Sequence, residues 1–292
     1  MKVLVTGANG QLGTDLINEL KSRGHEAVAT GVQPSESPDF KIMDITNAEQ
    51  VTQVLKETQP EAVIHCAAWT AVDAAEDPAN QAKVRTINVD GTQNLAAACK
   101  AQGIKMLYIS TDYVFNGQGT EPWQPDDKNY APLNVYGQSK LDGELAVANT
   151  LSDYFIVRIA WVFGQNGKNF VETMLNLADT HNELKVVSDQ IGTPTYTVDL
   201  ARLLVDMIET DKYGYYHATN EGGYISWADF AKEIFTQAGK DTKVIPVTTA
   251  EYGVSQAARP FNSRLDKSKL VEQGFTPLPT WQDALSRYLK NR

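Results

Sequence analysis

Cysteine is scarce in this chain. Only Cys66 and Cys99 occur among its 292 residues, each in an apolar stretch, so a disulfide framework is excluded and a reduced, cytoplasmic setting is expected. Each thiol reads as a small core residue and not as a nucleophile. No stretch approaches the ~18 consecutive apolar residues of a membrane-spanning helix. The chain enters its first strand without a long apolar leader, so neither membrane insertion nor export is expected. Positive charge is in deficit as well: the net charge of −10 argues against a general binder of nucleic acid or anionic membrane. An anionic ligand would have to be held by local cations and helix N-termini. Internal repeats and low-complexity segments are also lacking.

What is present is an alternation of short apolar strands with helical patterns. Strands are expected at Lys2–Val5, His25–Ala29, Phe40–Ile42, Ala62–Cys66, Lys105–Ile109 and Phe155–Ile159. Spacing of this kind predicts right-handed βαβ crossovers and a doubly wound parallel sheet of the Rossmann type, an α/β fold. Beyond Arg158–Gly164 the alternation becomes irregular, as expected where a smaller C-terminal substrate domain is interleaved with the last sheet elements. The expected division is 1–160 with 196–220 for the dinucleotide domain, and 161–195 with 221–292 for the substrate domain. The longest irregular stretch, Asn116 to Asn134, carries Pro122, Pro125 and Pro132. A loop of that length is more often functional than idle.

Three stretches carry chemistry. In the first, the strand Val3-Leu4-Val5 runs into Gly7, Gly10 and Gly13 and then a helical pattern. Glycines permit the tight turn and the close approach of a pyrophosphate, and the helix N-terminus favours the anion. In the second, the buried-type strand Met106–Ile109 ends in the hydroxyls of Ser110 and Thr111, at the strand end where open α/β sheets hold ligands. Ordinary capping is the alternative there. In the third, Tyr136 and Lys140 fall at i and i+4, one turn apart on a helix face. A lysine cation beside a phenol favours phenolate and would bring an acid with an ordinary pKa near ~10 toward the working range.

Two smaller signals accompany them. Ala67 and Ala68, with Trp69 and Thr70, follow the strand Ala62–Cys66 and would let the chain pass close to a pyrophosphate and ribose. His65 lies inside that strand and reads as a hydrogen-bonded core histidine.

Taken together, these stretches resemble the extended short-chain dehydrogenase/reductases, and within that superfamily the dTDP-4-dehydrorhamnose reductases. The resemblance runs through Thr6–Gly13, Ala67–Glu76, Ser110–Phe115, Pro132–Gly137, Asp189–Thr195 and Arg259–Asp266, essentially the whole chain. It implies NAD(P)H-dependent reduction of a C4 keto group on a dTDP-sugar, with Tyr136 as proton donor, Lys140 on the cofactor ribose and Thr111 on the keto oxygen. Cofactor contacts are implied at Gly7, Asn9, Gly10, Gln11, Leu12, Ala67, Ala68, Trp69, Tyr136 and Lys140, with Asp44 and Ile45 at the adenine. Sugar contacts are implied at Thr70, Val72, Asp112 and Tyr113. Trp161 packs on the sugar or belongs to the core, the two readings standing equal. Arg259 suits bidentate phosphate contact, against the alternative of a surface ion pair. Asn88, in a helix expected from Pro78 to about Gln102, is expected to buttress the strand that carries Thr111.

The choice of nicotinamide cofactor is left open. NAD-specific relatives end the second strand in an acid and NADP users offer an arginine; Thr30-Gly31-Val32-Gln33 supplies neither, so dual use of NADPH and NADH is expected. A Mg²⁺ at a subunit contact, as in some relatives, is not supported, because Asp15 alone is no metal site. A homodimer stays open. The alternatives are another sugar-nucleotide 4-reductase or 4-epimerase, and a non-catalytic regulatory subunit resembling the β subunit of methionine adenosyltransferase. A dehydratase would carry a glutamate after Thr111-Asp112, where this chain has Tyr113.

Overall fold

A computed structural model describes residues 1–35, 40–253 and 255–292. Its centre is a seven-stranded parallel sheet. Six strands come in chain order before residue 160: β1 (Lys2–Thr6), β2 (Glu26–Gly31), β3 (Lys41–Ile42), β4 (Ala62–His65), β5 (Lys105–Thr111) and β6 (Tyr154–Ile159). The seventh, Gly214–His217, adds to the far edge of β6 in the order seventh–β6–β5–β4–β1–β2–β3. Strand order therefore reverses between β1 and β4, the crevice where doubly wound sheets bind ligands.

The sheet is covered on both faces, which is why its inner strands are apolar runs without polar alternation. Along β1, Val3 and Val5 turn to one face and Leu4 to the other. The first face packs on α1 (Gln11–Ser22), through Leu12, Leu16 and Leu20, and on the helix Thr197–Ile208. The second packs on Val51, Val54 and Leu55 of the helix Ala48–Thr58 and on Leu95 and Cys99. Cys66 and Cys99 are free thiols, each pushed up to about 12 by burial.

The expected helix from Pro78 to Gln102 is one run with a π-helical turn at Thr86–Asp90. That turn carries Asn88, and here the expected buttress is corrected. Asn88 Oδ1 accepts from Trp69 N (2.7 Å), while its amide donates to Trp69 O (3.1 Å) and Ser139 Oγ (2.8 Å). The loop after β4 is thereby tied to the helix Val135–Thr150, and none of these bonds reaches β5.

The irregular part of the chain builds a second apolar cluster. Helices Phe170–Ala178, Trp227–Ala238 and Trp281–Lys290 pack around Phe163, Tyr196, Phe230 and Trp281, beside the parallel pair Glu183–Val187 and Lys243–Val247. The chain just before the last helix leaves this cluster: Leu270, Phe275 and Leu278 pack into the core of the main sheet. Among the described residues no helix is long and apolar enough to cross a membrane.

Candidate active site

A cleft of about 600 Å³ opens at the C-terminal ends of the strands, over the β1/β4 switch point. Thr6, the last residue of β1, ties the two strand ends together. Its Oγ1 accepts from Cys66 N (3.2 Å) and Ala67 N (3.1 Å) and bonds His65 Nδ1 (2.7 Å). His65 is completed by Thr92 Oγ1 at 3.0 Å. Burial, with a smaller push from Lys140, lowers its pKa to about 3, so the ring is neutral.

The glycine-rich turn is shaped for close approach. Gly7 has φ +64°, and a Cβ there would stand 2.9 Å from Ala67 N; a Cβ on Gly13 would strike Gly7 O and lie 2.7 Å from Ala8 Cα. Only glycine at these places lets α1 seat on β1 and its N-terminus face the cleft. Gly10 is the N-cap and has no side-chain acceptor, so first-turn N–H groups of α1 are available to an anion. Gly7, Asn9, Gly10, Gln11, Leu12, Ala67 and Ala68 all line the cleft, a fit to a dinucleotide's pyrophosphate.

Thr111, Tyr136 and Lys140 line the same cleft. Tyr136 stands at the start of the helix Val135–Thr150, whose N-cap Asn134 accepts from Gly137 N (2.7 Å) and donates to Ala258 O (2.8 Å). Glu76 Oε1 accepts from Val135 N at 2.7 Å. Gly137 and Gly143 are packing positions: a Cβ on the first would meet Tyr113 O at 2.5 Å, and one on the second would overlap the Tyr108 hydroxyl. The helix thus lies directly on the end of β5, and Thr111 and Tyr136 share one wall of the cleft. Lys140 is buried with Nζ 4.0 Å from the centre of the Tyr108 ring, a cation–π seat.

The electrostatics differ from the sequence expectation in one respect. Burial raises the Tyr136 phenol, the Asp112 charge raises it further, and the Thr111 hydroxyl works the other way. Desolvation therefore wins over any pull from Lys140. A phenol held protonated is the form that can donate. Burial lowers Lys140 itself to about 7, against the attraction of Glu144. Asp112 is raised to about 6 by burial, partly offset by bonds from Ser263 and from Thr111, whose Oγ1 lies 3.0 Å from Asp112 Oδ1.

Thr70, Val72, Asp112, Tyr113 and Trp161 also line the cleft. Trp161 has φ +51°, in the left-handed region that a bulky side chain rarely adopts. It is held there by stacking on Trp227, centroids 3.7 Å apart, and by Gly192, where a Cβ would lie 2.9 Å from the indole. Trp161 is thus both packed and facing the cleft. Trp227 also lines it and was not singled out in the sequence, where it is only the first residue of an amphipathic helix. Ser110, expected with Thr111 at the strand end, lines it too: its hydroxyl is buried on the cleft wall without a hydrogen-bond partner among the described residues.

Four expected contacts lie off the cleft lining. The Asp44 carboxylate caps its own turn, accepting from Thr46 N (2.9 Å) and Oγ1 (2.8 Å), and Ile45 points into the core. Trp69 turns outward under the Lys83 ammonium. Arg259 is engaged by Asp73. At the end of β2, Thr30 is buried and donates to Val5 O (3.0 Å), leaving Gly31, Val32 and Gln33 as the lining. Asp15 is buried against Thr197, and among the described residues no group of three or more His, Cys, Asp or Glu side chains is arranged to hold a metal ion.

The switch-point crevice, the glycine turn and the Thr/Tyr/Lys set define a dinucleotide-binding protein of the short-chain dehydrogenase/reductase class. More narrowly, the chain belongs to the family described as RmlD substrate binding domain, whose model matches residues 1–292. It is similar to the spore coat polysaccharide biosynthesis protein SpsK of Bacillus subtilis, with 42% identity covering 100% of this chain and 98% of that protein. Among solved structures it is similar to a dTDP-4-dehydrorhamnose reductase from Clostridium acetobutylicum, with 44% identity, TM-score 0.92, and 100% and 99% of the two chains covered. A second is the dTDP-4-dehydrorhamnose reductase of Bacillus anthracis in complex with NADP, with 42% identity, TM-score 0.89, and 100% and 99% covered.

Proposed function

We propose that this protein reduces the C4 keto group of dTDP-4-dehydro-L-rhamnose to give dTDP-L-rhamnose, a precursor of cell-surface polysaccharide, using NADPH or NADH. The observation that carries the reading is the protonated Tyr136 phenol, set with Thr111 and the buried Lys140 in a cleft built for a dinucleotide. The nicotinamide supplies the hydride when bound.

The chain's own residues supply the rest. First-turn N–H groups of α1 hold the pyrophosphate. Lys140 donates to the ribose hydroxyls. Tyr136 gives its proton to the oxygen at C4 as negative charge develops there, and Thr111 donates a second hydrogen bond to that oxygen, so the charge meets placed donors. Thr70, Val72, Asp112, Tyr113 and the indole of Trp161 border the sugar. The relatives named as reductases of this sugar nucleotide support the substrate, and the free thiols Cys66 and Cys99 support a cytoplasmic setting.

The test is direct. Given dTDP-4-dehydro-β-L-rhamnose, the purified protein should oxidise NAD(P)H in a one-to-one ratio with formation of dTDP-L-rhamnose. An epimerase would convert a 4-hydroxy sugar nucleotide without net cofactor use, and a regulatory subunit would bind cofactor without turnover. Either result, with no reduced cofactor consumed by any 4-keto-6-deoxysugar nucleotide, would overturn the proposal.

A further inference from the structure

The helix that carries Tyr136 and Lys140 continues in the same i+4 step to Glu144, so the three side chains stand in line on one face. Glu144 and Arg158 form an ion pair in which both side chains are fully buried, joined by Nε to Oε1 and Nη2 to Oε2 bonds, both 2.8 Å. Arg158 belongs to β6 and lies opposite Ser110 in the sheet, one residue from the level of Thr111. The same guanidinium donates to Pro125 O (3.1 Å) and Tyr130 Oη (3.1 Å), both in the long loop joining the Thr111 strand end to the Tyr136 helix. Phe115 covers its face, with the ring centre 4.9 Å away. A pair this dry is weak as a source of stability, since an apolar substitute of like volume would do as well or better. Its placement calls for another role.

We propose that Glu144, clamped by Arg158, is a positioning residue that sustains the cation on Lys140 and fixes the helix carrying Tyr136 against the end of β5. This rests on the assignment of Lys140 to the cofactor ribose in the proposed function. The surroundings of Lys140 point to Glu144 as the source of the charge. From β4 and the residue after it come His65, which is neutral, and Cys66, whose thiol is pushed up to about 12. From β5 comes Tyr108, whose ring centre lies 4.0 Å from Nζ and whose phenol is raised by burial. Of the groups whose charge acts to keep Lys140 protonated, Glu144 comes first and Cys66 second. Cys66 is uncharged at working pH. Arg158 then has a second effect, because it holds the carboxylate in place through a two-pronged bond and links that charge to the loop joining β5 to the Tyr136 helix.

The experiment follows NADPH affinity against pH by the change in its fluorescence, for the wild-type protein, Glu144→Gln, Glu144→Asp and the double variant Glu144→Gln/Arg158→Met. Cofactor binding does not depend on which sugar is reduced, so failure of the substrate assignment leaves this test intact. The 2′-phosphate titrates alike in all four proteins and cancels in the comparison. Wild-type affinity should fall as pH rises through the Lys140 transition. In Glu144→Gln that fall should move to lower pH by about one unit or more, the order expected from removing one charge a helical turn away. Glu144→Asp should restore it. The double variant, which removes both buried charges and so tests the idea even where Glu144→Gln does not fold, should show a displacement in the same direction, smaller because loss of the Arg158 cation works the other way. A folded Glu144→Gln or double variant with an unmoved profile would overturn the proposal and leave the pair a structural tie.

Discussion

Arg259 and Asp73 form a two-pronged ion pair beside the cleft, Nη1 donating to Oδ1 at 3.0 Å and Nη2 to Oδ2 at 2.8 Å. The same carboxylate accepts from Ala257 N (3.0 Å) and Ser255 Oγ (3.2 Å). Asp73 follows Val72 of the cleft wall, and Asn134, which caps the Tyr136 helix, donates to Ala258 O. One short segment is thus strapped to both the sugar side of the cleft and the catalytic helix. Although burial works against it, the bonds from Arg259 and Ala257 hold the Asp73 carboxyl below the usual carboxylate range.

Arg259 is offered both as a phosphate ligand and as the partner of Asp73, and the two roles separate in steady-state kinetics. Arg259→Ala should raise KM for the dTDP-sugar by about tenfold or more, the order of one lost charge-assisted contact. Asp73→Asn loosens the strap but leaves the guanidinium free for the diphosphate, so KM should change much less. Equal losses in both variants would assign Arg259 to the strap alone.

Tyr136→Phe keeps the ring that packs edge-on to Tyr113, centroids 5.8 Å apart, and removes only the proton. Fold and cofactor affinity should persist while kcat falls by roughly 10²-fold or more. Near-wild-type kcat in a folded variant would remove Tyr136 as the acid.

Lys140 sets function against stability. Burial lowers it to about 7 from 10.5, so between those values the unfolded chain holds a proton that the folded chain has released. Stability should therefore rise with pH across that window, and below it the full cost of burying the cation is present. Lys140→Met should flatten the rise and increase Tm near pH 7 or below, by about 2–4 °C for each kcal/mol of cost removed, while weakening cofactor binding and slowing turnover. Thermal unfolding across pH, set beside cofactor titrations, checks both halves; a variant that loses Tm at neutral pH would show that Lys140 stabilises the fold.

Cofactor choice turns on Gly31, Val32 and Gln33, which line the cleft and offer no charge. KM values for NADH and NADPH should lie within about tenfold of each other. Val32, 58% exposed, is the place to add an acid: Val32→Asp should raise KM for NADPH by about tenfold and leave NADH nearly unchanged, by repulsion of the 2′-phosphate. Thr30→Asp should instead destabilise the protein, because that side chain is buried against β1. A thousandfold wild-type preference either way would place the 2′ pocket elsewhere.

Much of this protein was determined by local sequence. Apolar runs at β1, β4 and β5 require a sheet covered on both faces, the spacing of Gly7, Gly10 and Gly13 requires a close strand-to-helix turn, and the i, i+4 step of Tyr136 and Lys140 puts both on one face; each depends on neighbours a few residues apart. Tertiary structure decided what those side chains meet. Asn88 was legible as a helix residue, but its partners Trp69 and Ser139 come from a loop and a helix far along the chain. Arg259 carries the same five donors wherever it stands, and only the packing of 255–259 on Asp73 gives them a carboxylate. Trp161 and Trp227, sixty-six positions apart, become one wall of the cleft through contacts that no periodicity records. The charge states followed the same division: the phenol and ammonium were readable as a pair, while burial, a property of the assembled core, decided that Tyr136 keeps its proton and Lys140 has its own lowered to about 7.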